Sequence, residues 1–126
     1  MPQVSIITVN LNNATGLQKT MQSVLRQKYA GYELIVIDGK SEDPSVQTIR
    51  NMEDSFDGNL QWISEPDSGI YEAMNKGIRL STGDYLLFLN SGDSLVNEHV
   101  LNEVFCTSQT ADFLLGRCHV SQNGAL

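Results

Sequence analysis

The stretch Asp84-Tyr-Leu-Leu-Phe-Leu-Asn-Ser-Gly-Asp93 decides the fold of this chain. It begins with a polar residue, continues through five apolar or aromatic residues, and ends in a short turn with a carboxylate. An uninterrupted apolar run of this kind predicts a β-strand that is buried on both faces. Gly92 allows the chain to turn sharply, and Asp93 then lies at the carboxyl end of the strand, where ligands bind in open α/β sheets. A strand followed by an ordinary Asx-type turn also explains these residues.

Strand patterns and helix patterns alternate along the rest of the chain. Apolar runs predict strands at residues 4–9, 33–38, 60–63, 85–90 and 112–120. Apolar residues at helical spacing predict four helices, with the stripes Leu17/Met21/Val24/Leu25, Val46/Ile49/Met52, Ile70/Met74/Ile78 and Val100/Leu101/Val104/Phe105. Strands joined by helices predict a Rossmann-like, mainly parallel sheet with helices on both faces.

Capping and turn residues place the ends of several of these elements. Residues 10–13 read as a turn and a helix cap, and Asp43 is expected to cap the second helix, with Pro44 at its first position. Gly77 is expected to close the third helix, and residues 121–124 resemble a hairpin turn.

Composition limits the class of protein. The chain has 126 residues, 40% of them hydrophobic and 18% charged, which suits one soluble domain. The net charge of −7, without a Lys/Arg run, argues against nucleic acid or an anionic membrane as partner. No apolar run approaches membrane-spanning length, and residues 1–3 open no signal peptide, so we expect a cytoplasmic protein. Cys106 and Cys118 are expected to be reduced structural thiols.

Polar residues follow most of the predicted strands. They include Thr8, Asn10, Asp38, Glu65-Pro-Asp67 and Asn90-Ser-Gly-Asp93, and a parallel sheet brings such carboxyl ends to one edge. Gly39-Lys40-Ser41 is no Walker A loop because Leu34 stands where the first glycine belongs, and no Gly-x-Gly-x-x-Gly follows the first strand. A phosphate ligand would then be held through a divalent cation, with Asp93 as the candidate ligand.

Four motifs in register carry a resemblance to a known family. They are Val4-Ser-Ile-Ile-Thr-Val-Asn-Leu-Asn-Asn13, Leu34-Ile-Val-Ile-Asp-Gly39, Glu65-Pro-Asp-Ser-Gly-Ile-Tyr-Glu-Ala-Met-Asn-Lys-Gly-Ile78 and Thr82-Gly-Asp-Tyr-Leu-Leu-Phe-Leu-Asn-Ser-Gly-Asp93. The chain resembles family 2 glycosyltransferases over nearly its whole length, in particular the bacterial branch that makes exopolysaccharides of the colanic acid type. The resemblance implies a GT-A fold, a UDP- or GDP-linked sugar donor, inversion at the anomeric carbon, and Mn²⁺ or Mg²⁺ as cofactor.

The resemblance also implies roles for individual residues. Thr8, Asn10 and Asn12 match the loop that wraps the nucleotide, Asp38 matches the acid that bonds the base, and Asp67 matches an acid near base and ribose. Asn75 and Lys76 lie on the helix that faces the nucleotide, where Lys76 either touches phosphate or is solvated. Asn90 is expected to bond a ribose hydroxyl, and Asp93 matches the metal-binding acid of the D-x-D motif. Several of these roles have a structural alternative. Asp38 can instead be a carboxylate that only caps N–H groups of its loop, and Asp67 can be part of an ordinary turn. Thr8, Asn10 and Asn12 can belong to a plain loop that leads into a helix. His99, His119 and the two cysteines match nothing functional and are expected to be structural.

Three features depart from the family pattern. First, Asn90 stands where the family usually has the first Asp of D-x-D, and Gly92 stands where it often has a second acid, although this form is familiar in the colanic-type branch. Second, Lys40 replaces a glycine that is common after Asp-Gly. The third departure is length: the acceptor site and the general base are expected beyond Leu126, so the fold is expected to be C-terminally incomplete. Residues 1–126 would then be a single nucleotide-sugar-binding GT-A half-domain that binds a donor without transferring the sugar.

The expected partners are the donor and a glycan or lipid-linked acceptor. The full-length enzyme is expected to associate peripherally with the inner face of the membrane, and apolar surface at the open end of the sheet would allow a dimer. Two alternatives stay open from sequence: a catalytically inactive nucleotide-sugar-binding module, and a receiver-like or flavodoxin-like signalling domain. The latter needs an acidic pair after the first strand, where this chain has Thr8-Val-Asn10.

Overall fold

A computed structural model of the chain describes residues 3–105, in which strands and helices alternate. The strands are β1 (Val4–Asn10), β2 (Tyr32–Asp38), β3 (Leu60–Ser64) and β4 (Tyr85–Phe88). The α-helices are α1 (Ala14–Leu25), α2 (Ser45–Met52), α3 (Ile70–Leu80) and α4 (Val100–Phe105), and a 3₁₀ turn (Glu53–Phe56) follows α2. No helix in residues 3–105 is long and apolar enough to cross a membrane.

All four strands form one parallel sheet in the order β3-β2-β1-β4. The register pairs Asn10 with Asp38 and Asp38 with Ser64, so β1, β2 and β3 end side by side. Hydrogen bonding to β1 continues past the end of β4, through the backbone N–H groups of Leu89 and Ser91. The predicted neighbours of β1 are therefore confirmed, and their carboxyl ends share one edge.

Helices cover both faces of the sheet, as predicted. The larger core packs β-strand residues such as Ile6 and Val36 against the apolar stripe of α1, Ile49 of α2 and the buried side of α4. The smaller core packs Ile7, Ile35 and Ile37 against Ala73 of α3. β1 and β2 are thus buried on both sides, which explains their uninterrupted β-branched sequences.

The prediction that the 85–90 strand is buried on both faces is wrong for the described part of the chain. Tyr85 and Leu87 pack against the larger core, but Leu86 and Phe88 remain 42% and 37% exposed on the other face. Within residues 3–105, β4 pairs with β1 alone and forms an edge of the sheet. An apolar run indicates that a strand is suited to burial on both faces, but the neighbouring elements determine which faces are covered.

The apolar stripe that predicted α3 does not face the sheet. Ile70 and Ile78 are exposed, whereas Ala73 and Gly77 are buried against the sheet. A Cβ atom on Gly77 would lie 2.4 Å from Cγ2 of Ile7, so only a hydrogen fits at this closest approach. Gly77 is therefore an interior packing residue of α3 and does not close the helix, which continues to Leu80.

The starts of α1 and α2 agree with the sequence to within a residue. Asn13 caps α1 by accepting from Gly16 N at 3.1 Å. Asp43 Oδ1 accepts from Ser45 N at 3.0 Å, but α2 begins at Ser45, one residue after the predicted Pro44. Asp43 Oδ2 also accepts from Ala14 N at 2.9 Å, so this carboxylate joins the first turns of two helices.

Several predictions fall outside the described residues, namely the 112–120 strand, the 121–124 turn, Cys106, Cys118 and His119. His99 is described: it is exposed, and its Nε2 lies 3.4 Å from Glu98 Oε1.

The amino-terminal edge of the sheet is held by Glu33 of β2. Its Oε2 accepts from Ser5 Oγ at 2.6 Å, from Thr82 N at 2.8 Å and from Thr82 Oγ1 at 2.9 Å, while Oε1 accepts from Gln61 Nε2 at 3.2 Å. Partial burial opposes ionisation of Glu33, but these hydrogen bonds outweigh it and lower the pKa of the carboxyl group. Glu33 thus ties β1, β3 and the loop before β4 to β2.

Replacing Gly77 by alanine should destabilise the protein. The better helix propensity of alanine offers about 1 kcal/mol, whereas the clash with Ile7 in a close-packed core costs about 1–3 kcal/mol. We expect a net loss in the free energy of unfolding, measured by urea denaturation. Asn75→Ala, at an exposed position of the same helix, is the matched control and should leave stability equal or slightly raised. Equal stability of Gly77→Ala and Asn75→Ala would contradict this packing.

Glu33→Gln should destabilise the protein in a pH-dependent way. At neutral pH the loss of charge-assisted hydrogen bonds should cost about 1–3 kcal/mol. Because the pKa of Glu33 is lowered on folding, its contribution is present above the ordinary glutamate pKa of about 4.3 and is lost as pH falls through the lowered value. The wild-type advantage should therefore shrink on acidification, as followed by thermal melts between pH 7 and 3. Glu103→Gln, at an exposed glutamate, should show neither effect.

Candidate functional site

A buried carboxylate organises the carboxyl-terminal edge of the sheet. Asp38 Oδ1 accepts from Asn10 Nδ2 at 2.8 Å and from Ser41 Oγ at 2.6 Å. Asp38 Oδ2 accepts from Ser41 N at 2.9 Å and from Ser64 Oγ at 2.7 Å. We call these four residues the Asp38 cluster. It joins the last residues of β1, β2 and β3 to the loop that follows β2.

The Asp38 cluster keeps its carboxylate charged, although no cationic side chain within residues 3–105 forms an ion pair with it. Burial raises the pKa of Asp38, but the hydrogen bonds from Ser41, Ser64 and Asn10 outweigh burial, and the net shift is downward. Hydrogen bonds to the ionised form are the cause of such a shift. Asp38 therefore stays ionised at neutral pH and acts only as an acceptor.

The loop after β1 and the loop after β2 are bonded to each other. Ser41 Oγ accepts from Asn12 N at 2.8 Å, and Asn12 Oδ1 accepts from Glu42 N at 2.7 Å. Asn12 and Lys40 adopt left-handed backbone conformations, with φ of 49° and 62°. Lys40 thus occupies a conformation that glycine adopts without strain, which agrees with glycine being common at this position in the family it resembles.

The turn at residues 90–93 is anchored to α1 by one buried hydroxyl. Thr20 Oγ1 lies 2.6 Å from Asp93 O and 3.3 Å from Asn90 O, and it accepts from Gly92 N at 3.0 Å. Gly92 has a φ of 101°, so glycine is needed here, as the sequence predicts. The position of Asp93 is therefore set by helix α1 as well as by strand β4.

Ser23 of α1 and Gln27, two residues after the helix, hold the segment after this turn. Ser23 Oγ accepts from Leu95 N at 3.1 Å, Gln27 Nε2 donates to Asn97 O at 2.6 Å, and Gln27 Oε1 accepts from Leu101 N at 3.0 Å. Sequence reasoning missed Thr20, Ser23 and Gln27, because it followed only the apolar stripe of the helix. For Thr20 the sequence does contain a signal of burial, because Thr20 lies on the same helical face as Leu17, Met21 and Val24.

A cleft of about 260 Å³ opens between the ends of β1 and β4. It is lined by Val9, Asn10, Leu11, Asn13, Asp67, Gly69, Ile70, Asn90 and Ser91. Small-molecule sites commonly enclose about 300–1,000 Å³, so this volume suits part of a nucleotide. A cleft of about 240 Å³ also opens at the amino-terminal edge, but there Thr82 and Gln61 both donate hydrogen bonds to Glu33.

Unpartnered polar atoms gather around the cleft at the carboxyl-terminal edge. In residues 3–105, four buried side-chain atoms lack a hydrogen-bond partner: Thr8 Oγ1, Asn10 Oδ1, Asn90 Oδ1 and Ser91 Oγ. Asn10, Asn90 and Ser91 line the cleft, whereas Thr8 is fully buried within β1. A buried polar atom without a partner costs about 1–3 kcal/mol, so three such atoms in residues that line one cleft indicate a site that is completed by a ligand.

Asp67 lies in the loop before α3, and Lys76 of α3 is bonded to the same loop. Asp67 lines the cleft, and its Oδ1 accepts from Gly69 N at 3.1 Å. Lys76 is only 12% exposed: its Nζ lies 3.0 Å from Glu65 Oε1 and 3.7 Å from Glu72 Oε1, and donates to Pro66 O at 3.1 Å. The hydrogen bond to Glu65 raises the pKa of Lys76. Any phosphate would have to compete with these carboxylates, and the contact of Lys76 with phosphate stays a prediction.

The geometry fits a metal ion only if a ligand completes its coordination. Asp93 is exposed, and no group of three or more His, Cys, Asp or Glu side chains that could hold a metal occurs within residues 3–105. Mg²⁺ sites typically use one or two carboxylates together with substrate phosphates. Asp93 lies in the same turn as Asn90 and Ser91, whose side-chain oxygens are unpartnered within residues 3–105, which is compatible with such a shared site.

The structure thus divides the predicted site residues into two groups. Asn10, Asp67 and Asn90 line the cleft, and Asp93 follows in the turn that Asn90 begins. Thr8 and Asp38 are fully buried beneath it, Asn12 holds the neighbouring loop, and Lys76 buttresses the loop of Asp67. Direct ligand contacts of these residues stay predictions.

Known structures share this fold. The mannosyltransferase PcManGT from Pyrobaculum calidifontis, solved with GDP-Man and Mn²⁺, superposes with a TM-score of 0.74 at 21% identity over 79% of this chain and 30% of its own. TarS from S. aureus, solved with UDP-GlcNAc, gives a TM-score of 0.76 at 20% identity over 82% of this chain and 30% of its own. These likenesses show that the fold is GT-A.

Sequence comparison shows the family. An uncharacterised glycosyltransferase of Mycobacterium tuberculosis is 42% identical over 122 residues, which is 96% of this chain and 43% of the relative. The chain therefore spans less than half the length of this relative. Residues 5–114 match the model for glycosyl transferase family 2. These matches show that the chain belongs to glycosyl transferase family 2.

Proposed function

We propose that this chain binds the nucleotide-diphospho-sugar donor of a glycosyltransferase in the cleft between β1 and β4. The observation that carries the proposal is the group of unpartnered polar atoms at this cleft, next to the turn that presents Asp93. A nucleoside diphosphate supplies hydrogen-bond donors for these oxygens and anionic oxygens for a metal ion. Family membership argues against the receiver-like alternative.

The donor class is proposed from the chemistry of the site and from its structural relatives. PcManGT was solved with GDP-Man and TarS with UDP-GlcNAc, so a GDP- or UDP-linked sugar is the proposed donor. Asn10, Asp67 and Asn90 would face the nucleoside part, because these three residues line the cleft. The site would be supported from beneath by the buried residues Thr8 and Asp38. The loops beside it would be held by Asn12 and Lys76.

A divalent cation is part of this proposal. Asp93 would hold it together with the donor diphosphate, as Mn²⁺ or Mg²⁺ sites commonly do. When bound, such an ion stabilises the negative charge of the departing diphosphate. PcManGT was solved with Mn²⁺, which makes this the ion to test first.

The remaining features follow from the family resemblance. We propose transfer with inversion to a glycan or lipid-linked acceptor in exopolysaccharide synthesis, in the cytoplasm at the inner face of the membrane. The general base and the acceptor site are proposed to lie beyond Leu126, in sequence that the longer relatives possess. Exposed Leu86 and Phe88 on β4 are the surface through which this form would dimerise. A catalytically inactive binding module is the alternative, and a transfer assay with a longer chain separates the two.

Asp93→Ala should remove the Mn²⁺-dependent part of nucleotide affinity. Without this carboxylate the ion has no charged protein ligand in the 90–93 turn, whereas Asn90→Ala removes only an amide and should weaken binding less. The dissociation constants of UDP and GDP are measured by calorimetry with and without Mn²⁺. Glu103→Ala, which removes an exposed charge elsewhere, is the control. Equal affinity of wild type and Asp93→Ala in saturating Mn²⁺ would refute the metal role, and no binding to wild type would refute the proposed function.

Thr20→Val should reduce the same Mn²⁺-dependent affinity, although Thr20 is not one of the proposed ligand contacts. Valine has nearly the shape of threonine but cannot bond the backbone of Asn90, Gly92 and Asp93, so the turn loses its anchor. Leaving these buried backbone groups short of a partner should also lower stability by about 1–3 kcal/mol. Thr48→Val is the matched control, since Thr48 Oγ1 bonds Pro44 O at 3.2 Å in α2, away from the cleft. Unchanged Mn²⁺ dependence in Thr20→Val would contradict this anchoring.

A further inference from the structure

The side-chain amide of Asn13 uses one end to cap helix α1 and turns the other end towards the cleft. Its Oδ1 accepts from Gly16 N at 3.1 Å. Because a backbone N–H can bond only the oxygen of the amide, this contact fixes which end carries the NH₂ group. Nδ2 then lies 3.4 Å from Ser91 O, in the turn after β4. Asn13 and Ser91 both line the cleft between β1 and β4.

Nδ2 of Asn13 keeps most of its hydrogen-bonding capacity. Within residues 3–105 the acceptor that it contacts is Ser91 O, and 3.4 Å is longer than the usual N–H···O range of about 2.7–3.2 Å. An amide NH₂ group carries two protons, and Ser91 O occupies only one of them. Asn13 is exposed, so the second proton is accessible to a ligand in the cleft.

Gly16 makes room for this amide because it has no side chain. It is the third residue after the cap, a position at which helices commonly carry Glu or Gln. A Cβ atom on Gly16 would lie 2.7 Å from Cγ of Asn13, so the amide leans across Gly16 towards the 90–93 turn. There, a Cβ atom on Gly92 would lie 3.7 Å from Nδ2. Glycine is less favourable than alanine within a helix, which indicates that the position of the Asn13 amide serves more than capping.

Unpartnered atoms beside Asn13 provide an independent sign of a ligand. Asn10, which also lines the cleft, is 2% exposed, and its Oδ1 has no partner among residues 3–105. Ser91 Oγ is buried and unpartnered within the same residues. Such atoms are rare in folded proteins and indicate a partner from outside the chain. The NH₂ group of Asn13 therefore faces a site that a ligand completes.

The cleft offers little positive charge to a phosphate group. No lysine or arginine is among the residues that line it within the described part of the chain, and Asp67 contributes a carboxylate. Lys76 Nζ lies 3.0 Å from Glu65 Oε1 and is engaged there. Nδ2 of Asn10 already donates to Asp38. A phosphate oxygen accepts hydrogen bonds, so besides a divalent cation it needs a neutral N–H donor, and Asn13 has one available.

We propose that Asn13 is a ligand-contact residue whose Nδ2 donates to a phosphate oxygen of the bound nucleotide, with Gly16 as the residue that gives the amide room to do so. This inference rests on the proposed nucleotide binding and extends it to the first turn of α1. Two elements then hold the phosphate groups, namely the turn after β4, through the cation at Asp93, and the cap of α1.

Asn13→Ser tests this contact. Serine caps a helix about as well as asparagine, so the variant keeps the cap and its Tm should stay close to that of wild type. With Mn²⁺ present, it should bind the tighter-binding of UDP and GDP about 10–100-fold more weakly, as expected for a lost hydrogen bond to a charged group. Affinity for the matching nucleoside, uridine or guanosine, should not change, because a nucleoside has no phosphate. Asn51→Ser, in α2 and outside the cleft, is the matched control.

Gly16→Ala is a second variant that leaves Asn13 in the sequence. The added Cβ atom meets the end of a side chain, which can move aside, so the protein should fold with the amide displaced. The loss of diphosphate affinity should resemble that of Asn13→Ser, again without a loss for the nucleoside. Unchanged diphosphate affinity in folded Gly16→Ala would overturn the role assigned to Gly16.

Nuclear magnetic resonance separates a direct contact from an effect through the 90–93 turn. In ¹⁵N-labelled wild type with diamagnetic Mg²⁺, a side-chain N–H proton of Asn13, identified by its absence in Asn13→Ser, should move downfield when the diphosphate binds. The same proton should stay in place when the nucleoside binds. An Asn13 resonance that does not respond to bound diphosphate would overturn the inference, as would equal losses for nucleoside and diphosphate in Asn13→Ser.

Nucleotide-sugars separate a phosphate contact from a sugar contact. A loss in Asn13→Ser that appears with UDP-GlcNAc or GDP-Man but not with UDP or GDP would assign the amide to a sugar hydroxyl and overturn the phosphate contact. Binding of neither UDP nor GDP to wild type would refute the proposed function and this inference with it. Nucleotide binding that Asn13→Ser leaves unchanged would refute this inference alone.

Discussion

The buried carboxylate of Asp38 is the constraint on which the candidate site depends. An ionised group inside a protein is tolerated only when hydrogen bonds replace its lost hydration. Asp38 receives these bonds from Asn10, Ser41 and Ser64, which come from β1, the loop after β2, and β3. Satisfying one charge therefore fixes three strand ends and a loop relative to one another. The cleft between β1 and β4 opens directly beside this fixed edge.

Strand β2, which ends at Asp38, carries a second carboxylate, Glu33, that joins neighbouring elements at the amino-terminal edge of the sheet. Glu33, near the start of β2, collects donors from Ser5, Gln61 and Thr82 and leaves few free polar groups around it. The two edges differ in what remains unpaired. At the amino-terminal edge the polar groups bond each other, whereas at the carboxyl-terminal edge side-chain atoms of Asn10, Asn90 and Ser91 have no partner in the described part of the chain. This asymmetry distinguishes a structural edge from a binding edge.

Helix α1 supplies the other half of the scaffold. Its apolar stripe packs into the larger core, while Thr20 and Ser23, together with Gln27 just after the helix, bond the backbone of the segment after β4. Such buried side-chain to backbone bonds replace regular secondary structure in a loop that must be rigid. The 90–93 turn is thus held from two sides, by β1 through the sheet and by α1 through Thr20. A single exposed carboxylate, Asp93, can then be presented at a defined position by a chain that is otherwise too acidic to attract a diphosphate.

The sequence by itself determined the parallel α/β sheet, the position of polar residues at its carboxyl edge, and the family. Runs such as Val4-Ser-Ile-Ile-Thr-Val9 and the turn at Gly92 depend on local physics, namely β-branched burial and a positive φ, which a sequence displays directly. Tertiary structure alone decided the contact face of α3, because the clearance between Gly77 and Ile7 depends on how closely a helix approaches a sheet. It also decided the exposure of Leu86 and Phe88, since only neighbouring elements set the burial of a strand face. Above all it decided the surroundings of Asp38, because hydrogen bonds from residues 28 and 26 positions away in the chain exist only once the strands are in register.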